Sequence, residues 1–157
     1  MQKLPQIKAA YDWMIQEYDT KIGEATASTD MRSVQRLENF RDSLERGVFV
    51  LMFGQFEIDV TDRFRVEREN RMRNPDWRIR RGWDTPSLGV KSVPFLSKLA
   101  LMMDRTGKHY RKIELSYHRR NHCAHGGTSE PVGSIDQFFK DLYEWQAELR
   151  RHSSLAS

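Results

Sequence analysis

The sequence predicts an all-α fold, a bundle of four or five helices, on the basis of three observations. Apolar residues recur at intervals of three and four in several long segments, which is the spacing of one helix face. No segment shows the alternation of apolar and polar residues that is typical of a strand. Glycines and prolines separate the periodic segments, and 157 residues match one ordinary domain. We therefore expect a single helical domain over residues 1–157, with its tail frayed after about residue 152.

The N-terminal half of the chain predicts one or two long helices after a first one. Helix one is expected over about residues 5–26, with an apolar face formed by Tyr11, Met14, Ile15, Tyr18 and Ile22. Asp30 is a good N-cap for the next segment, whose helical period continues to about Arg71. This segment is either one very long helix or two, because Gly47 or Gly54 is able to kink it.

The second half of the chain predicts a loop followed by three helices. Asparagine, glycine and proline punctuate residues 73–92, which are therefore expected to form a loop with at most short helical turns. A short helix is expected over about 93–103. The next helix starts near Tyr110 and ends at a glycine pair, Gly126-Gly127, which resembles a C-terminal cap. The last helix is expected over about 134–151.

Composition restricts the environment and the partners of the protein. The single cysteine, Cys123, excludes an intramolecular disulfide and a multi-cysteine metal site, and it fits a reducing compartment. The start of the chain lacks the apolar core of a signal peptide, and no 18-residue apolar run is present. We therefore expect a cytoplasmic protein without a membrane span. The net charge is only +4, but eight arginines and three acidic residues lie between Arg63 and Arg81, which indicates an anionic partner.

Side chains able to do chemistry are concentrated near the predicted end of the penultimate helix. Residues 117–127 contain three histidines, two arginines and one asparagine, namely His118, Arg119, Arg120, Asn121, His122 and His125. On an ideal helix the histidines and Asn121 share one face, whereas Arg120 points about 140° away from His125. For these residues to act together, either the long Arg120 side chain curls around the helix or the helix unwinds at the glycine pair.

Arg120-Asn121, three intervening residues and His125 resemble the R-N-x-x-x-H signature of the HEPN superfamily, and Gly126 stands where a glycine often follows the motif histidine. The resemblance implies an all-helical HEPN-type bundle and a metal-independent endoribonuclease that uses no cofactor. It also implies a symmetric homodimer whose two motifs face each other in a composite site. A role as a toxin or phage-defence effector follows from the family, with an antitoxin or defence-system protein as a further partner.

The chemistry of RNA cleavage explains why these residue types belong together. Cleavage without a metal uses the ribose 2′-hydroxyl as the nucleophile and leaves a 2′,3′-cyclic phosphate and a 5′-hydroxyl end. His125 is the candidate for proton transfer, because histidine exchanges protons near neutral pH. Arg120 is the candidate for stabilising the phosphorane, since its guanidinium is permanently charged and planar. Asn121 is expected to orient either His125 or a phosphate by hydrogen bonding.

One position departs from a known subgroup of the family. In the HEPN toxins that are silenced by adenylylation, a tyrosine stands two residues after the motif histidine. Gly127 occupies that position in this chain, so we expect no such tyrosine switch.

Several further residues are weaker candidates, each with a structural alternative. His118, Arg119 and His122 either help to hold phosphates or the partner copy, or are surface residues. Glu57 either pairs with an arginine or histidine of the site, or is a solvated helix charge. The candidates for RNA binding are Arg71, Arg73, Trp77, Arg78, Arg80 and Arg81, with Trp83 as a second platform for base stacking. Their alternative is an amphipathic helix end in which Glu67 and Glu69 pair locally with the arginines.

Two other functions are compatible with the same sequence. His118, His122 and His125 have a spacing that suits zinc, but the H-E-x-x-H form is absent because Arg119 occupies the glutamate position. Two adjacent arginines would also repel a cation. The second alternative is a catalytically silent HEPN-like module for protein interaction or nucleotide binding. The complete set of arginine, asparagine and histidine argues against it, because a scaffold does not need all three.

Overall fold

Six α-helices and one 3₁₀ turn are present within residues 3–84, 89–127 and 131–154, which the computed structural model describes, with side chains up to residue 151. In chain order they are α1 (Leu4–Ala27), α2 (Met31–Met72), α3 (Trp77–Trp83), the 3₁₀ turn (Val90–Ser92), α4 (Phe95–Met102), α5 (Lys108–Ala124) and α6 (Ile135–Ser154). No strand occurs in these ranges, and the predicted all-α class is confirmed. None of the helices in these ranges combines the length and the apolar character that crossing a bilayer requires.

The long second segment forms one helix. α2 contains 42 residues and continues through Gly47 and Gly54, so the alternative of two helices is wrong. Asp30 precedes α2, and its Oδ1 accepts a hydrogen bond of 3.1 Å from the backbone N–H of Ser33. Hydrogen bonds from Ser33 also hold the pKa of the Asp30 carboxyl below its usual value. The predicted N-cap is therefore present at the start of α2.

The number of helices exceeds the predicted four or five because part of the predicted loop is helical. α3 is capped by Asp76, whose Oδ1 accepts a hydrogen bond of 2.8 Å from the N–H of Arg78. Asn74 in turn accepts a hydrogen bond of 2.9 Å from the N–H of Asp76. The polar residues that indicated a loop thus serve as helix caps. Residues 85–88 of the predicted loop lie outside the described residues.

The C-terminal helix runs slightly further than predicted. α6 begins at Ile135 and is helical to Ser154. Residues 155–157 of the predicted frayed tail lie outside the described residues.

The described chain divides into two compact units, each with its own aromatic core. The first unit comprises the chain up to Gln55 together with His118–Lys140. In it the rings of Phe49 and Phe138 are 4.5 Å apart between centroids, and the rings of Phe53 and Phe138 are stacked at 6.4 Å. These three side chains are buried and fix the first part of α6 against α2.

The second unit comprises Phe56–Tyr117 together with the chain from Asp141 onward. Its core includes Phe56 and Trp145, whose rings are 5.6 Å apart, and Phe95, whose ring is stacked on that of Tyr117 at 5.0 Å. α2, α5 and α6 each contribute residues to both units. The single domain expected from the sequence stays a prediction.

Candidate functional site

The end of α5 lies in the first unit and has a well-defined backbone geometry. The N–H of Gly126 donates to the carbonyl of Cys123 at 3.1 Å, and the N–H of Gly127 donates to the carbonyl of His122 at 2.9 Å. Gly126 has φ of +81°, which is the left-handed conformation that glycine adopts without strain. These two hydrogen bonds and the left-handed glycine define a Schellman motif. His125 is therefore the C-cap of α5, and the helix is regular up to Ala124.

Arg120 and Asn121 are brought together by the structure. Nη1 of Arg120 donates a hydrogen bond of 2.9 Å to Oδ1 of Asn121, and both side chains are half-buried. The helix remains wound to Ala124, so it does not unwind before His125, and Arg120 contacts its neighbour Asn121. The bond fixes the position of one edge of the guanidinium group.

His125 lies close to these residues along the backbone, but its imidazole stands apart. Its backbone N–H donates to the carbonyl of Asn121 at 3.1 Å. The imidazole is exposed, and within the described residues it makes no hydrogen bond or ion pair. The structure therefore does not join His125 to Arg120 or Asn121 by a side-chain contact.

The ring of His122 occupies the space above Gly127. A Cβ atom added to Gly127 would overlap the Nε2, Cδ2 and Cε1 atoms of that ring. Glycine at position 127 is therefore what allows His122 to take this position. A tyrosine there, as in the adenylylated toxins, would have to displace the His122 side chain.

Arg46 of α2 is a residue of this site that the sequence analysis missed. Its Nε and Nη2 atoms donate to the two carboxylate oxygens of Asp42 at 2.8 and 3.3 Å. Its Nη1 atom donates to the carbonyl of Gly127 at 3.3 Å. The hydrogen bond to Asp42 raises the pKa of Arg46, and the interaction with the neighbouring Cys123 also raises it. Arg46 thus connects α2 to the turn that follows His125.

A sequence signal for Arg46 existed. Asp42 and Arg46 are four residues apart, which suits an ion pair on one helix face. Arg46 also shares a face with Phe49 and Phe53 at spacings of three and seven, and both phenylalanines are buried. A charged residue in line with a buried apolar face indicates a specific polar partner, although it does not identify that partner.

The other candidates near the motif have different surroundings. Nη1 of Arg119 donates to the carbonyl of Val132 at 3.4 Å, so Arg119 contacts the backbone just before α6. His118 is exposed. Within the part of the chain that the structure describes, no group of three His, Cys, Asp or Glu side chains is arranged to hold a metal ion.

Glu57 belongs to the second unit. Its charge acts on Lys98, a buried lysine of α4 whose Nζ donates to Oγ1 of Thr61 at 3.0 Å. Burial lowers the pKa of Lys98, and the negative charge of Glu57 opposes this shift. The interaction described for Glu57 is thus with a core lysine of its own unit.

The basic segment also belongs to the second unit, and its residues fall into two groups. Arg71 lies 4.0 Å from the carboxylate of Glu67, which matches the alternative of local pairing. Arg80 donates to two backbone carbonyls of its own loop, and the ring of Trp83 is stacked on Phe64 at 5.8 Å. The remaining predicted RNA-binding side chains are exposed, namely Arg73, Trp77, Arg78 and Arg81.

Comparison of the chain with protein-family models, with curated protein sequences and with solved structures finds no match. The functional interpretation therefore depends on the motif and on the geometry described above.

Proposed function

We propose that this protein is a metal-independent endoribonuclease of the HEPN type whose catalytic residues are Arg120, Asn121 and His125. The observation that carries the proposal is that one helix end holds both a guanidinium hydrogen-bonded to Asn121 and, at the C-cap, an exposed imidazole. Cleavage of a phosphodiester requires a positive charge that stabilises the phosphorane and an accessible group that transfers protons.

The reaction needs two proton transfers around one phosphorus atom. The ribose 2′-oxygen attacks phosphorus as a base removes its proton, and the bond to the 5′-oxygen breaks as an acid protonates that oxygen. His125 performs one of these transfers. In the homodimer implied by the family resemblance, His125 of the second copy performs the other, so that each cleavage uses both motifs.

Arg120 and Asn121 stabilise the charge that develops between these transfers. A guanidinium has five N–H donors in a fixed plane, and the bond to Asn121 uses one of them. The plane is thereby held in position before the substrate arrives, so that little reorganisation is needed when the phosphorane forms. Asn121 is in this proposal a positioning residue for Arg120 as well as a donor to the phosphate through its amide nitrogen.

The test is cleavage of a mixed RNA substrate in EDTA, with analysis of the product ends. We expect the wild-type protein to leave 2′,3′-cyclic phosphate and 5′-hydroxyl ends, and we expect His125→Ala to lose at least about 10²-fold in rate. The matched control is His109→Ala, which removes a histidine from the first turn of the same helix and should keep wild-type activity.

Two results would reject the proposal. Equal loss of activity in His125→Ala and His109→Ala, or cleavage by wild type that EDTA abolishes, would contradict the assigned site and chemistry. No cleavage by a wild-type protein whose dimeric mass is verified by light scattering would favour the catalytically silent interaction module. Toxicity on expression that is relieved by Arg120→Ala or His125→Ala would support the toxin role that the family resemblance implies.

A further inference from the structure

The helix α3 is held firmly in the second unit although it has only seven residues. An isolated helix of this length is unstable in water, so its anchors determine whether it forms. Asp76 caps its first turn, and Nη1 of Arg80 donates to the carbonyls of Asn74 and Pro75 at 2.8 and 2.9 Å. Trp83 at its end stacks on the buried ring of Phe64. These contacts give Arg80 and Trp83 a structural role in holding α3.

The anchored helix and the residues just before it expose further side chains to solvent. Trp77 is 55% exposed, and Arg73, Arg78 and Arg81 are exposed as well. None of these three arginines has an acidic partner within the described residues. The only acid between residues 73 and 81 is Asp76, whose carboxylate accepts the capping hydrogen bond. Three exposed arginines without an acidic partner thus lie within four residues of one exposed indole ring along the chain.

The positions of Trp77 and Arg81 are coupled. The guanidinium carbon of Arg81 lies 6.0 Å from the centroid of the Trp77 ring, which is the range of a cation–π interaction. This contact occupies part of the indole surface and restrains its orientation, while more than half of the residue remains accessible. The ring is thus an oriented apolar platform bordered by positive charge.

We propose that Arg73, Trp77, Arg78 and Arg81, termed the α3 surface, bind single-stranded RNA, with a base stacked on Trp77 and the phosphates paired with the arginines. Stacking on an aromatic side chain and pairing of phosphates with arginine are the two contacts on which single-strand binding generally depends. A duplex offers phosphates but hides its base faces, and an acidic peptide would use the arginines but leave the indole uncovered. Binding at the α3 surface is independent of the proposed cleavage chemistry.

The test measures binding of a fluorescent 2′-O-methyl oligouridine by anisotropy. This probe keeps the RNA backbone but has no 2′-hydroxyl to attack, so the result does not depend on catalysis. We expect Trp77→Ala to weaken binding by about 5- to 100-fold. The matched control is Trp13→Ala, which removes an exposed tryptophan of α1 that is 67% accessible and should leave the affinity unchanged.

The charges are tested by the salt dependence of the same binding reaction. Three neutralised phosphates predict a slope of log affinity against log salt of about −2, and Arg78→Gln combined with Arg81→Gln should reduce it to about −0.7. Arg105→Gln combined with Arg111→Gln is the control. Both arginines are exposed and belong to the same unit, and their substitution removes the same amount of positive charge. Circular dichroism verifies that each variant keeps its helical content.

Three outcomes would overturn the proposal. The first is equal loss of affinity in Trp77→Ala and Trp13→Ala. The second is a duplex affinity that equals the single-strand affinity and is insensitive to Trp77→Ala. The third is binding of polyglutamate but not of the oligonucleotide, which would identify an acidic protein as the partner. If only the proposed ribonuclease activity is wrong, RNA would still bind at the α3 surface but would not be cleaved.

Discussion

The arginines near the end of α5 and those of the α3 surface have the same side chain but opposite surroundings. Arg120 donates to Asn121, Arg119 donates to a backbone carbonyl, and Arg46 is held by both oxygens of Asp42. In the α3 surface, Arg73 and Arg78 are exposed and have no acidic partner in the described residues. One region thus holds its positive charges by hydrogen bonds, whereas the other exposes them to solvent.

In the two proposals, this difference corresponds to two different roles toward a nucleic acid. Stabilising a phosphorane requires a donor that is already in place, because reorganisation during the reaction raises the barrier. Attracting a flexible phosphate backbone requires positive charge, and side chains that move are able to follow different backbone conformations. Half-burial and a fixed partner therefore favour catalysis at the end of α5, and exposure favours binding at α3.

The largest expected effect compares lysine substitutions in the two regions. Arg120→Lys keeps the charge but removes the planar group that Asn121 holds, so we expect the cleavage rate to fall by about 10²- to 10³-fold. Arg78→Lys keeps the charge of an exposed side chain that has no fixed partner, so we expect oligonucleotide affinity to change by less than about threefold. Single-turnover cleavage and anisotropy measure the two effects.

Equal sensitivity at the two positions would contradict this distinction. A tolerated lysine at position 120 would mean that charge alone suffices there. A large loss of affinity in Arg78→Lys would mean that the α3 arginines also recognise a fixed geometry.

A smaller effect is expected at Arg46. Arg46→Met keeps much of the side-chain volume but leaves the carbonyl of Gly127 without this donor and Asp42 without its pair. We expect the free energy of unfolding to fall by about 1–2 kcal/mol, since a hydrogen bond to a charged group is lost at a half-buried position. Hydrogen exchange of the Gly126 and Gly127 amides should become faster, because the turn loses one of its restraints.

The control for Arg46 is another paired arginine of the same helix. Arg41 donates to Asp19 at 2.9 Å and to Glu45 at 3.3 Å, but it does not contact the motif turn in the described structure. Arg41→Met should lower stability by less than about 1 kcal/mol, as for other partly exposed ion pairs. Faster exchange at Gly127 in both variants would indicate general loosening, and it would remove Arg46 from the site.

The elements predicted well from the sequence were those with long regular periods. The helical period of the second segment ends near Arg71 in the sequence, and α2 ends at Met72. The glycine pair predicted the end of α5, because a left-handed cap is a local property that the sequence encodes directly. The sequence did not predict α3 as a helix, because Asn74 and Asp76 are common in turns as well as in helix caps. The packing of Trp83 on Phe64, which distinguishes a helix from a turn here, is a contact that the sequence pattern does not show.

The candidate site was predictable to the extent that it is local. The motif residues are adjacent in sequence, so their common location on α5 followed from spacing. The contact between Arg46 and Gly127 joins residues 81 positions apart, and no local pattern specifies such a pair. The hydrogen bond between Arg120 and Asn121 depends on side-chain rotamers, which an ideal helical projection does not include.

The smallest expected effects compare one glycine in each region. Gly126 has a positive φ, and Gly126→Ala should destabilise the protein by about 1 kcal/mol because alanine is strained in that conformation. Gly82 lies inside α3 with no heavy atom within 4 Å of an added Cβ, so Gly82→Ala should stabilise the protein by roughly 0.5–1 kcal/mol. Chemical denaturation of both variants measures whether each substitution raises or lowers the free energy of unfolding.

If Gly126→Ala lowered the cleavage rate more than its effect on stability explains, the left-handed turn would be required for placing His125. If instead both alanines stabilised the protein, the Schellman turn would not be the conformation that holds the histidine at the end of α5.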